Sequence, residues 1–510
     1  ATDPNSPAVG SSNAPGPGWG ASVPGGFPSN LVGYQATGEY SLTLRLNAAY
    51  NPTWFLYNEL SQIYPLPQKT WDRLSASGAV GNYDQSALPR VGLEGTSPTQ
   101  FVPQDPGTAD SGALGVAQFL NLQSQTLSTY QTNPLWKVVD GPFRLSRFTS
   151  AGYVRMVPNP AYSGSPKPTI SALVEEPFTT DSAEFNALKA GALTIGYVPL
   201  QDISQKASLA KTGYSVAPWY GYGFAYLSYN YTDPAAGPIF RQLYFRQAFQ
   251  SLVNQPQFIQ DFSAGLGTKE SGPVPGYPSG NQFESPLEKR GPLYPYDPQR
   301  AVSLLSANGW QVVPGGTTYC RLPGSGAGHC GAGITAHEPL HLSLLYPSGS
   351  QEATNEMEAL QSTALAKAGI GLALHAAPYQ QVTSVALNSC TPATPCSNWQ
   401  IANWVDYWTY APDYLPTGGE LFATGAGSNG GDYSSPTNDA NIGATHTAAT
   451  PAAEIQALYA YQDYLARQAA VILMPDTPLQ VTAYRSDLKG VVPQNVFDAI
   501  NPQFYRVSGG

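Results

Sequence analysis

The sequence predicts an α/β protein of two lobes. Strand-like and helix-like segments alternate through most of the chain, as a β/α rhythm with several crossings requires. At 510 residues, with 42% hydrophobic and 12% aromatic residues, the chain can build two or three domains with sizeable cores.

The elements follow in order. The start, "ATDPNSPAVGSSNAPGPGWG", is a flexible lead-in without a signal-peptide apolar core. "EYSLTLRLNAAYN" (39–51) alternates apolar and polar residues as a half-buried strand. An aromatic-rich helix or turn follows, then an irregular Gly/Ser/Pro/Asp-rich insertion over 80–112 and helical spacing over 112–130. "GPFRLSRFTSAGYVRMVPNPAYS" predicts a hairpin. "TISALVEEPF" and "DSAEFNALKAGAL" predict a strand and a helix, with Asp181 as cap and Glu184 three residues on. "GYGFAYLSYN" (221–230) is an aromatic strand, and "PIFRQLYFRQAFQSLVNQPQFIQDF" is expected to be the longest helix. "DPQRAVSLLSANGW" carries start and stop signals in Asp297-Pro298 and Gly309. A strand at 340–346, a helix at 351–368, a strand at 370–375 and a strand at 399–408 continue the rhythm. A final long helix, "AAEIQALYAYQDYLARQAAVILM", leads to a strand over 478–486.

Composition excludes several functions. Charged residues are only 11%, the formal net charge is −10 and basic residues are scattered singly, which does not suit nucleic acid. No run of 18 apolar residues offers a membrane-spanning helix. A surface solvated mainly by uncharged polar residues suits an exported protein, and its few carboxylates suit an acidic exterior. The cysteines fall in two close pairs, Cys320/Cys330 and Cys390/Cys396, each bracketing a turn-rich loop. Two local disulfides fit this layout better than a four-thiolate zinc site, which favours C-x2-C knuckles.

His337, Glu338 and His341 match the H-E-x-x-H pattern of zinc proteases. Pro339 inside the motif and the strand-like run after it place these residues in a loop at a strand edge, so no metal site is expected. No G-x-S-x-G elbow or P-loop is present, and Glu175–Glu176 would point to opposite faces of a strand. No catalytic residue, cofactor or metal is assigned. Asn230-Tyr231-Thr232 matches a glycosylation sequon by pattern alone.

Five stretches, in this order, resemble the extracellular solute-binding proteins of family 5, the peptide and nickel group serving ABC transporters. They are "NPLWKVVDGPFRLSRFTSAGYVRMVPNPAYSG", "FTTDSAEFNALKAGALTIGYVP", "FRQLYFRQAFQSLVNQPQFI", "YPYDPQRAVSLLSANGW" and "ANWVDYWTYAPDYLPTGGELF". The resemblance covers about residues 30–510. It implies a type II periplasmic-binding-protein-like fold: two α/β lobes joined by hinge strands, placed near Tyr226–Asn230 and Pro478–Thr482. The family's first strands, ahead of 39–51, have no counterpart here. The implied division is 1–136 as an accessory part of the first lobe, 137–228 with 479–510 as the first lobe, and 229–478 as the second.

The resemblance further implies an extracytoplasmic, periplasmic or cell-surface monomer, with or without a lipid anchor, that is not an enzyme. It would bind a peptide between its lobes and deliver it to a membrane permease. An oligosaccharide or other polar small molecule is the alternative ligand, and a secreted hydrolase the alternative from another class. A peptide site needs a carboxylate for the ligand amine, aromatic walls and free strand edges. The family's amine-pairing aspartate falls on Asp406, with Asp413 as its rival. Trp404, Trp408, Tyr222 and Tyr226 are candidate walls, although strand alternation requires some aromatics near the first hinge to be core packing.

Overall fold

The computed structural model describes residues 30–38, 41–62, 66–75, 78–81, 102–103, 111–277, 279–387, 395–403, 408–410, 415–493 and 501–508. Its largest sheet has five strands, in the order Gly371–Ala377, His341–Pro347, Ile401–Ala402, Tyr226–Tyr229 and Ile472–Leu473. The first three are parallel, and Tyr226–Tyr229 runs antiparallel to both its neighbours. The parallel pair His341–Pro347 and Gly371–Ala377 is joined by the helix Gln351–Ala368, as parallel strands require a crossover. Ser350 caps this helix by accepting from Ala353 N, and Met357, Leu360, Ala364 and Ala368 form its buried stripe. Gly369 ends it at φ 62°, where a Cβ would stand 2.2 Å from the Val313 carbonyl oxygen, so only glycine fits.

A second sheet places Gln480–Arg485 between Ile195–Tyr197 and Tyr214–Trp219, all antiparallel. Its core is Phe185, Leu188, Val198, Leu209, Tyr214, Val481 and Ala483, separate from the large core around the five-stranded sheet. The hairpin of Phe143–Phe148 and Val154–Pro158 is extended by Leu173–Glu175. The strands Leu31–Gly38, Ser41–Leu46 and Val102–Pro103 form a further sheet. Residues 51–54 pack on the long helix Pro451–Gln468. Trp54 is buried with Leu415 and Leu458, and Asn51 Nδ2 donates to Glu454 Oε1 at 3.0 Å.

Several sequence expectations change. The stretch expected to be the longest helix is three short ones, Gly237–Phe240, Leu243–Gln250 and Gln255–Asp261. Pro256 lacks the donor needed to continue a helix, and Asn254 instead caps a new one by accepting from Gln257 N. Thr180, not Asp181, caps the helix Asp181–Lys189, and Glu184 turns away to accept from Tyr197 N. Asp297 caps its helix as expected. The strand expected over 399–408 is two short pieces, Ile401–Ala402 and Trp408–Thr409, in different sheets.

Cys320 and Cys330 form the expected disulfide. Cys396 is also disulfide-bonded, and Cys390 lies outside the described residues. His337 sits at φ 63° in a turn and His341 opens a strand, so the H-E-x-x-H residues share no helix face.

Candidate functional site

The chain crosses between the two principal sheets twice. It leaves Tyr214–Trp219 of the small sheet, runs through 220–225 and enters the large sheet as Tyr226–Tyr229. It returns from Ile472–Leu473 through 474–479 to Gln480–Arg485. Within Tyr226–Asn230, expected at a hinge, Tyr226–Tyr229 is thus an inner strand of the large sheet, and the first crossing lies just before it. A backbone bond from Met474 N to Ala225 O at 3.0 Å ties the two crossings together.

The crossings are lined with rings. Phe224 stacks on Tyr226 with centroids 4.8 Å apart, and Tyr410 faces both Tyr222 and Phe224. Tyr222 is 2% exposed and its hydroxyl accepts from Asn281 Nδ2 at 3.1 Å; Tyr226 is 4% exposed. Both therefore serve as packing in this conformation. Tyr220 stacks on Tyr277 and donates to the Leu266 carbonyl. Trp408 is half-buried and pairs in register with Phe224, which brings it to the first crossing. Trp404, Asp406 and Asp413 lie outside the described residues. Asn403, which precedes them in sequence, continues from the large-sheet strand Ile401–Ala402.

Sequence reasoning missed the acids gathered beside the second crossing. Thr268 and Asp476 form an isolated antiparallel bridge, and Glu270 follows two residues on. Glu270, Glu288 and Asp476 are 3%, 2% and 1% exposed. Burial, then Asp476 and Glu288, holds the Glu270 carboxyl well above the usual carboxylate range. Burial, then Glu284 and Asp463, does the same for Glu288. Glu270 Oε2 and both carboxyl oxygens of Glu288 have no hydrogen-bond partner among the described residues, and burial without such partners disfavours their charged forms. Among the described residues, no three His, Cys, Asp or Glu side chains are grouped to hold a metal ion. No local sequence signal marks Glu270 or Glu288, because only the fold brings their segments together.

Residues 2–420 match the family model "Bacterial extracellular solute-binding proteins, family 5 Middle". The chain belongs to this family. A Brucella ovis protein named provisionally as an ABC transporter peptide-binding protein is 27% identical over 175 residues, covering 34% of this chain and 31% of the relative. The chain thus matches about a third of that relative's length.

Solved structures of the same architecture share the fold at low identity. The oligopeptide-binding protein AppA of Bacillus subtilis, in complex with a nonapeptide, superposes with a TM-score of 0.63 at 14% identity, covering 94% of this chain and 79% of that one. NikA of Staphylococcus aureus, in complex with Ni(L-His)2, gives 0.57 at 13% identity over 93% and 90%. DppA of Helicobacter pylori, with the peptide STSA, gives 0.54 at 15% identity over 93% and 87%. This chain is a mixed α/β protein whose structural neighbours are two-lobed type II binding proteins. Among its described residues no helix is long and apolar enough to cross a membrane.

Proposed function

We propose that this family 5 protein binds a short peptide between its two lobes outside the cytoplasm and hands it to an ABC permease. The observation that carries this reading is the pair of crossings at 220–225 and 474–479, which join two separately cored sheets beside an aromatic lining. A ligand that touches both lobes stabilises the closed arrangement and shifts the population toward it. The low-identity neighbours that hold peptides support the choice of ligand class.

Within this reading Asp406 pairs with the peptide ammonium, Asp413 being its rival, and Trp404 and Trp408 wall the ligand. Tyr222 and Tyr226 back that wall from the core. The lobes divide at the two crossings, 220–225 and 474–479, a few residues before the expected bounds of 228 and 479, and the protein acts as a monomer without cofactor or catalysis.

Mass spectrometry of small molecules released by denaturing the purified protein tests the reading. A ladder of short peptides, lost on Asp406→Asn at unchanged melting temperature, is the expected result. Release of a sugar or a single non-peptide mass would replace peptide with that ligand class.

A further inference from the structure

At the far end of the strand Tyr226–Tyr229, away from the crossings, lies an open cleft of about 720 Å³. Tyr231, Arg241, Arg246, Asp432, Tyr433 and Tyr464 line it. It shares none of the residues assigned above to the peptide.

Its charged groups are held firmly yet left unpaired with one another. Arg246 is only 5% exposed. Its Nε donates to Gln468 O at 2.9 Å and its Nη1 to Phe240 O at 2.7 Å, the last carbonyls of two helices. The guanidinium lies 5.8 Å from the Tyr231 ring centroid, and Nη2 has no partner among the described residues. Arg241 uses one nitrogen, Nη1, on the Tyr231 carbonyl at 2.6 Å.

Asp432 lines the same cleft, and its carboxyl has no side-chain hydrogen bond or ion pair among the described residues. Partial burial raises its carboxyl above the usual range, so the site itself does not compensate its charge. The backbone nonetheless fixes it there. Asp432 adopts φ 56°, a conformation costly for a non-glycine residue, directly after Gly431. A Cβ on Gly431 would fall 1.9 Å from the Tyr229 carbonyl oxygen, so the loop threads tightly past the strand. Asn429 closes the turn, accepting from Tyr433 N at 2.9 Å and donating to Tyr433 O at 2.7 Å.

A nearly buried guanidinium with a spare donor normally has a carboxylate beside it. Here a carboxylate lines the same cleft, but the two do not meet within ion-pair distance. We propose that this cleft is a second binding site, for a small zwitterion of the amino-acid type, with its carboxylate on Arg246 and Arg241 and its ammonium on Asp432. One ligand then satisfies both charges that the fold leaves apart, and the tyrosine rings contact its side chain.

Titration calorimetry of the full chain with L-leucine, acetate and methylammonium tests the proposal, with peptide content followed in parallel by mass spectrometry. L-Leucine binds saturably, while acetate and methylammonium bind far more weakly. Asp432→Asn, at a side chain with no hydrogen bond or ion pair among the described residues, and Arg241→Gln each weaken L-leucine by roughly tenfold or more, the effect of losing one charge-assisted hydrogen bond. Both variants leave the co-purified peptide unchanged, which separates this site from the cleft between the lobes. Absent L-leucine binding, binding indifferent to both variants, or acetate binding as tightly as L-leucine would each overturn the proposal.

Discussion

Thr268 and Asp476 exchange a pair of backbone hydrogen bonds, Thr268 N to Asp476 O at 2.7 Å and Asp476 N to Thr268 O at 2.9 Å. The exchange pins a loop of the larger unit to the second crossing and sets Asp476 beside Glu270. Since burial and the neighbouring acids raise the Glu270 carboxyl above 4.5, the folded protein keeps a proton that the unfolded chain releases. Stability from this group is therefore complete at low pH and lost as pH rises above about 4.5, by at most about 1.4 kcal/mol per pH unit. Glu270→Gln should gain melting temperature relative to the parent on going from pH 5 to pH 7.5. Parallel melting curves for the two proteins would refute this assignment.

His446 works in the opposite direction. Its ring stacks on Trp54 with centroids 4.2 Å apart, and burial pushes its pKa down to about 3. The folded state holds it neutral, so its contribution is present above pH 6.5 and fades as pH falls toward 3. His446→Phe keeps a stackable ring and should lessen acid destabilisation between pH 6.5 and 4, measured by chemical denaturation. Trp54 fluorescence in the parent should change over the same window, because this stack holds Trp54 on the helix Pro436–Thr447.

How much of this was legible depends on whether the signal was local. The helix Gln351–Ala368 was legible with its bounds, and the structure adds the Ser350 cap and the left-handed Gly369 that set its ends. The stretch 237–261 misled because its apolar spacing continues through Pro256, where a broken backbone hydrogen bond outweighs periodicity. Thr180 and Asp181 are both good caps, and only the extended backbone at Thr180, φ −146°, decides between them. The aromatic crowd at 219–229 was visible, but its division between core and ligand depends on Tyr410 and Phe422, which arrive from distant segments. Glu270 beside Asp476, and Arg246 and Asp432 lining one cleft, are likewise neighbourhoods that the fold alone creates.

Gly272 and Glu288 offer a direct test of the packing around the buried acids. A Cβ on Gly272 would lie 1.7 Å from Glu288 Oε1, so the carboxyl must leave its place in Gly272→Ala. We expect a loss of about 1–3 kcal/mol by denaturant titration, the usual range for overpacking. Adding Glu288→Ala should recover most of it, since the truncation vacates the space and removes two carboxyl oxygens that lack partners among the described residues. Strictly additive losses would mean that the clash lies elsewhere.

Asn230 gives the last prediction, and it bears on ligand binding. Its Nδ2 donates to the carbonyls of Cys396 at 2.9 Å and Trp399 at 3.0 Å, while its Oδ1 accepts from Thr232 N at 3.1 Å. The residue is fully buried, so its sequon can accept a glycan only by unfolding this region. Expression in a glycosylating host should therefore add no mass at Asn230 in the folded protein. Asn230→Ala should cost about 1–3 kcal/mol, because two carbonyls lose their donor. Asn230→Asp should cost more despite its matching shape, since it turns a carboxylate oxygen toward two carbonyl oxygens. The same two carbonyls anchor the segment that leads through Ile401–Ala402 toward Asp406. A variant that stays folded should consequently bind peptide more weakly, whereas unchanged peptide retention would separate this anchor from the ligand.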